Sequence, residues 1–91
     1  MPVCVKIPGS FRKYANDQRE IWLEANDVAD LLSQISESFP NLGDRVREAD
    51  GSPKPFIGIY VNEEDIRFIS GTETQLSDGD EVLIVPAIAG G

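Results

Sequence analysis

Asn26-Asp27-Val28-Ala29-Asp30-Leu31-Leu32-Ser33-Gln34-Ile35-Ser36-Glu37-Ser38-Phe39-Pro40 is the stretch that decides the fold. Val28, Leu31, Leu32, Ile35 and Phe39 fall at i, i+3, i+4, i+7 and i+11, which places them on one face of a helix. Asn26-Asp27 offers an N-cap, and Asp30 adds negative charge to the first turn, where the helix dipole favours it. Pro40 has no N–H and stops the helix. A helix with one apolar face needs a surface to bury it against, and the rest of the chain supplies a sheet.

Upstream, Val3, Val5 and Ile7 alternate with Cys4 and Lys6, the period of a half-buried strand, until Pro8-Gly9-Ser10 breaks it. Glu20-Ile21-Trp22-Leu23-Glu24 is a second strand, reached through a polar loop that holds Phe11, Arg12 and Tyr14. Downstream, Asp44 to Asp50 reads as a short helical turn and Gly51-Ser52-Pro53-Lys54-Pro55 as loop. Phe56 to Val61 is a strong strand closed by the turn residues Asn62-Glu63-Glu64-Asp65, and Ile66-Arg67-Phe68 is expected to form a short edge strand. Asp78-Gly79-Asp80 is a tight turn before the last strand, Glu81 to Pro86. The order is strand, strand, helix, strand, short strand, strand. One main helix on one face of a mixed sheet is the economical packing, an α+β domain spanning residues 1–91.

Alternation also assigns the faces. In the last strand Val82 and Ile84 share one side, Leu83 and Val85 the other, and only one side can meet the helix. The same logic turns Ile57, Ile59 and Val61 inward and leaves Gly58 and Tyr60 outside. An outward cluster of Tyr60, Leu83 and Val85 reads as a docking patch, against the plainer alternative of scattered apolar surface. Trp22 reads as a loop-side or edge packing residue, Arg12 and Arg67 as solvated charge rather than charges that steer a partner, and Cys4 as a small apolar filler in its strand.

Composition removes most chemistry. The 91 residues contain no His and one Cys, which excludes Ser/His/Asp and Cys/His catalysis, imidazole metal ligation, disulfides and cysteine-ligated clusters. The formal net charge is −8, a surface that repels nucleic acid and anionic membrane. From Phe56 onward, Glu63, Glu64, Asp65, Glu73, Asp78, Asp80 and Glu81 face Arg67 alone, a net −6. These acids either keep a small domain soluble or dock it against a basic protein. No signal peptide and no apolar stretch of about 20 residues is evident, so a soluble cytoplasmic protein is expected.

The sequence closes Val85-Pro86-Ala87-Ile88-Ala89-Gly90-Gly91. A terminal Gly-Gly is either a frayed end or a tail without side chains that threads a narrow channel and presents its carboxylate to a nucleotide. A carboxylate is a poor acyl donor, but transfer to ATP yields an acyl-adenylate whose carbonyl is open to a nucleophile. On that reading Gly91, with Gly90 before it, is the reactive end of a protein that other enzymes act upon.

Leu76-Ser77-Asp78-Gly79-Asp80-Glu81-Val82, Ile84-Val85-Pro86 and Ala89-Gly90-Gly91, with Tyr60-Val61-Asn62 ahead of them, resemble the MoaD/ThiS family of ubiquitin-like sulfur carriers. The resemblance implies a β-grasp fold. It also implies adenylation of Gly91 by a ubiquitin-activating-type adenylyltransferase, with ATP and magnesium bound to that enzyme and no cofactor on this chain. A persulfide or sulfide source would then form a thiocarboxylate. Molybdopterin carriers usually have two prolines before their last residues, where this chain has Pro86-Ala87-Ile88. The run Ile59 to Phe68 and the tail are more similar to the CysO-type branch, which serves cysteine biosynthesis. That branch implies a pyridoxal-phosphate-dependent cysteine synthase as acceptor and a zinc peptidase that releases the product. A molybdopterin synthase large subunit is the acceptor in the alternative branch. A covalent protein modifier and a plain interaction module remain as other classes. Tyr60, Leu83, Val85, Pro86 and Ile88 form the expected partner-binding set.

Overall fold

The computed structural model describes residues 2–86. The strands are β1 (Val3–Lys6), β2 (Glu20–Leu23), β3 (Ile57–Val61), β4 (Glu64–Asp65) and β5 (Glu81–Pro86), and all but the two-residue β4 coincide with the stretches read as strands. They make one mixed sheet in the order β2-β1-β5-β3-β4. β5 lies in the middle, parallel to β1 and antiparallel to β3. The helices α1 (Val28–Ser38) and α2 (Pro40–Val46) join the sheet in one core.

The helix face read from the sequence is the face that is buried. Val28, Leu31, Leu32 and Ile35 are fully enclosed, and Phe39 packs at the margin of the same core. Truncating one such Leu to Ala costs about 2–5 kcal/mol, so this stripe holds much of the domain together. Asp27 is the N-cap; its carboxylate accepts the Asp30 N–H at 2.8 Å, while the Asp30 carboxylate accepts the Asn26 N–H at 3.0 Å. The first bond satisfies one orphan donor of the first turn, and the second ties the residue before the cap back onto the helix. From the sheet, Val3, Val5, Ile57, Ile59, Val82 and Ile84 meet this stripe in the same buried cluster.

Three expectations need correction. The helical turn expected over Asp44 to Asp50 is instead α2, which begins at Pro40 and ends at Val46. Proline lacks the donor that the first helical residue would leave unpaired anyway, so Pro40 both ends α1 and starts α2. Leu42 and Val46, at i and i+4, are its buried face. Ile66-Arg67-Phe68 is a 3-10 turn and not an edge strand. Asn62 and Glu63 both take positive φ, 50° and 73°, which closes the hairpin in two residues, so the return strand is already Glu64–Asp65. The Asp65 carboxylate then accepts the Arg67 N–H at 2.9 Å and curls the chain away from the sheet. The loop after β1 is likewise ordered, a 3-10 segment over Gly9–Ala15.

α1 and α2 touch at Gly43. A Cβ there would sit 2.7 Å from the Ser36 Cα, a backbone atom that cannot swing aside. Gly43→Ala is therefore expected to destabilise the fold by about 1–3 kcal/mol, although alanine is the better helix former. A thermal melt checks this, and a variant that melts higher than the parent would show that the two helices separate freely.

Candidate functional site

The register of β5 decides what the open face of the sheet displays. Val5 and Ile59 flank Val82 and Ile84 in the core, and the intervening residues point away from the helices. Val82 and Ile84 are 0% and 1% exposed, whereas Leu83 and Val85 are 43% and 37% exposed. Tyr60 lies beside Leu83 and Gly58 beside Val85. The Tyr60 ring leans over Gly58, 3.1 Å from where a Cβ would be, and so fills the space that glycine leaves. Tyr60, Leu83 and Val85 therefore do form one outward patch, as alternation predicts. Pro86 ends β5 opposite Ile57, at the root of the tail. Ile88, Gly90 and Gly91 lie outside the described residues.

The turn that launches β5 is held by polar contacts. The Asp80 carboxylate accepts the Ser77 N–H at 2.8 Å and the Asn62 side-chain amide at 3.0 Å. The Asn62 side-chain oxygen accepts the Glu81 N–H at 3.0 Å, and the Asn62 N–H donates to the Glu81 carbonyl at 2.8 Å. The Asp80 carbonyl accepts the Cys4 N–H at 2.9 Å. Gly79, at φ +84°, permits the turn. The Asp78-Gly79-Asp80-Glu81 motif and Asn62 are thus one clamp that sets where β5 begins.

Two basic residues depart from their expected roles. The Arg67 guanidinium is not simply solvated; its Nη2 meets the Asp65 carboxylate at 2.7 Å and its Nε the same group at 3.1 Å. Arg12 donates from Nε to the Ile7 carbonyl at 3.1 Å and is half-buried. Phe56 was not in the expected set, yet it is 52% exposed and lines a notch of about 120 Å³ with Gly58, Tyr60, Arg67 and Val85. The same alternation that exposes Gly58 and Tyr60 extends to Phe56. Trp22 sits on the edge strand β2, beside Cys4, and is 55% exposed. Burial, with the Glu20 carboxylate nearby, pushes the Cys4 thiol up from its usual range, which disfavours the reactive thiolate. Among the described residues no cluster of three or more His, Cys, Asp or Glu could hold a metal ion, and no helix is long and apolar enough to cross a membrane.

The fold and the site together define a class. A mixed sheet that wraps one principal helix, with the last strand in its centre and leading toward Gly90-Gly91, is the ubiquitin-like β-grasp. The chain belongs to the ThiS family, which it matches over residues 5–91. It is 33% identical to the sulfur carrier protein CysO of Mycobacterium tuberculosis over 93 aligned positions, covering all of both chains. It is 31% identical to small archaeal modifier protein 3 of Haloferax volcanii, again over the whole of both chains. A chain of the crystal structure of the Amycolatopsis orientalis BexX/CysO complex superposes with a TM-score of 0.89 at 30% identity, covering 98% of this chain and 99% of that one.

Two outcomes are expected from this geometry. Val82→Asp places an unpaired charge in the core and should unfold the domain, whereas Leu83→Asp and Val85→Asp should leave its melting temperature nearly unchanged. If Val85→Asp melts as low as Val82→Asp, the faces of β5 are reversed. The second concerns Asp65, whose side-chain and backbone hydrogen bonds from Arg67 hold its carboxyl below the usual range. A carboxyl depressed in the folded state contributes stability above its unfolded pKa of about 3.9 and loses it as pH falls through the lower folded value. The melting-temperature gap between the parent and Asp65→Asn should therefore be widest above about pH 4 and shrink on further acidification. A gap that widens in acid would contradict the pairing.

Proposed function

We propose that this protein is a sulfur carrier whose reactive group is the Gly91 carboxylate. The observation that carries the reading is the full-length likeness to CysO sulfur carriers, extending through the family match to residue 91. A ubiquitin-activating-type adenylyltransferase, which itself holds ATP and magnesium, joins the carboxylate to AMP with loss of pyrophosphate. Hydrosulfide attacking the activated carbonyl expels AMP and gives the thiocarboxylate directly. An enzyme persulfide attacks through its terminal sulfur, expels AMP and leaves an acyl disulfide. A thiol of the donor enzyme then breaks the S–S bond, releasing the thiocarboxylate and forming a disulfide on the donor. The resulting thiocarboxylate is more polarizable than the carboxylate and delivers sulfur to an electrophile. Cysteine biosynthesis is the favoured destination, with a pyridoxal-phosphate-dependent synthase as acceptor and a zinc peptidase to free the product. The protein is acted upon and performs no turnover of its own.

Tyr60, Leu83, Val85 and Pro86 serve as the grip for the activating enzyme, with Ile88 along the tail. An enzyme must hold the folded part to aim a chain of small residues at a nucleotide. Apolar anchors of this kind contribute about 2 kcal/mol each. Leu83→Asp or Val85→Asp should thus weaken binding to the activating enzyme by roughly thirtyfold, at about 1.4 kcal/mol per decade.

A second reading rests on the likeness to small archaeal modifier protein 3. The same adenylate would then pass to a lysine amine, and the chain would become a covalent modifier. Intact mass of the protein isolated from its own cells separates the readings. Replacement of one oxygen by sulfur supports the carrier, and conjugates of high mass support the modifier. One alanine appended after Gly91 should abolish ATP–pyrophosphate exchange and leave the melt unchanged; normal exchange by the extended chain would refute the role of Gly91.

A further inference from the structure

The bases of this acidic chain are not scattered. Arg12 and Lys13 in the 3-10 segment, with Arg45, Arg47 and Lys54 on α2 and the loop after it, make five of the eight Lys and Arg residues. Residues 9–15 and 40–54 together carry net +2 in a chain of net −8. The two segments meet along a groove of about 530 Å³ lined by Phe11, Tyr14, Arg45, Lys54 and Phe56, with Asn41 and Asp44 at its side. Arg45 lies over the Tyr14 ring at 4.7 Å and Lys13 at 5.2 Å. Among the described residues neither forms an ion pair, whereas Lys54 meets Glu48 at 3.8 Å. Two cations thus lie over one aromatic ring with no ion-pair partner among the described residues, and Asp44 is the one carboxylate that lines the groove.

We propose that this groove is a second docking surface, which takes an acidic peptide segment of a protein partner. The carboxylates of the segment pair with Arg45, Lys13 and Lys54, and an apolar side chain packs on the exposed Phe56 ring. Charge complementarity favours such an occupant, because the groove is the positive part of a negative molecule. A nucleotide is disfavoured: the Tyr14 ring already carries two cations and meets Phe11 edge-on at 6.3 Å, so no pair of free rings can sandwich a base. Phe56 lines both this groove and the notch beside Tyr60 and Val85, so the two surfaces are continuous. One partner can therefore cover both. That the segment belongs to the enzyme gripping the sheet rests on the docking reading above; the preference for an acidic peptide does not.

The test titrates the isotopically labelled full chain, at low salt, with a short acetylated peptide of Glu and Asp around one central Leu. Amide shifts should centre on Tyr14, Arg45, Lys54 and Phe56. The Arg45→Glu/Lys54→Glu double variant should bind at least about tenfold more weakly, Arg45→Lys should retain binding, and added salt should weaken the parent. Leu83→Asp should bind this peptide as the parent does, which separates the groove from the sheet face. Unchanged affinity in the double variant, absence of shifts, or shifts centred on Leu83 and Val85 would overturn the proposal. So would ATP shifting the groove amides where the peptide does not, since the groove would then belong to a nucleotide. None of these readouts requires activation of Gly91, so they stand or fall apart from the carrier reading.

Discussion

The pairing of Asn62 with Asp80 and Glu81 is the contact on which the rest depends. It joins the β3–β4 turn to the start of β5 through side-chain and backbone hydrogen bonds. β5 is hydrogen-bonded on both flanks, so its register is shared by β1 and β3. Side chains alternate with a period of two, and a slip of one residue would exchange the faces of the strand. Val82 and Ile84 would leave the core, and Leu83 and Val85 would enter it. One clamp of short polar side chains therefore decides both which residues bind α1 and which the molecule shows to a partner.

The motifs that signal the family are those that build this clamp. Asp78-Gly79-Asp80-Glu81 supplies the tight turn, with the Asp80 carboxylate and the Glu81 carbonyl as acceptors, and Asn62 supplies the crossing amide. The glycine-ended tail carries the proposed chemistry, while the turn motif carries none and acts only by placing the strand that bears the tail. The molecule divides accordingly into a helix-backed core, an apolar open face beside the tail root, and a basic groove at its margin.

Legibility in the sequence followed periodicity. α1 and β5 were readable because burial repeats along each of them with a fixed spacing, and the alternation in β3 reached as far as Phe56. The hairpin after Val61 was harder. Ile66-Arg67-Phe68 alternates like a strand, but Glu63 at positive φ shortens the turn and the Asp65 carboxylate draws Arg67 into a 3-10 turn. Neither effect has a residue-type signature strong enough to outweigh the apolar pattern. α2 was displaced in the reading because a proline that ends one helix can open the next. The basic groove was not legible at all, since its cations come from segments more than twenty-five residues apart in the chain and meet only when α2 packs on the 3-10 segment.

The central position of β5 has a mechanical consequence. A strand peeled sideways from a sheet opens one hydrogen bond after another like a zipper. A strand bonded on both sides and pulled along its own axis loads its two ladders together, and they must yield at once. Resistance to such a load is governed by the unfolding barrier and not by equilibrium stability. Traction along β5 from its Pro86 end is therefore met by both ladders at once, and the sheet resists being unravelled from that end.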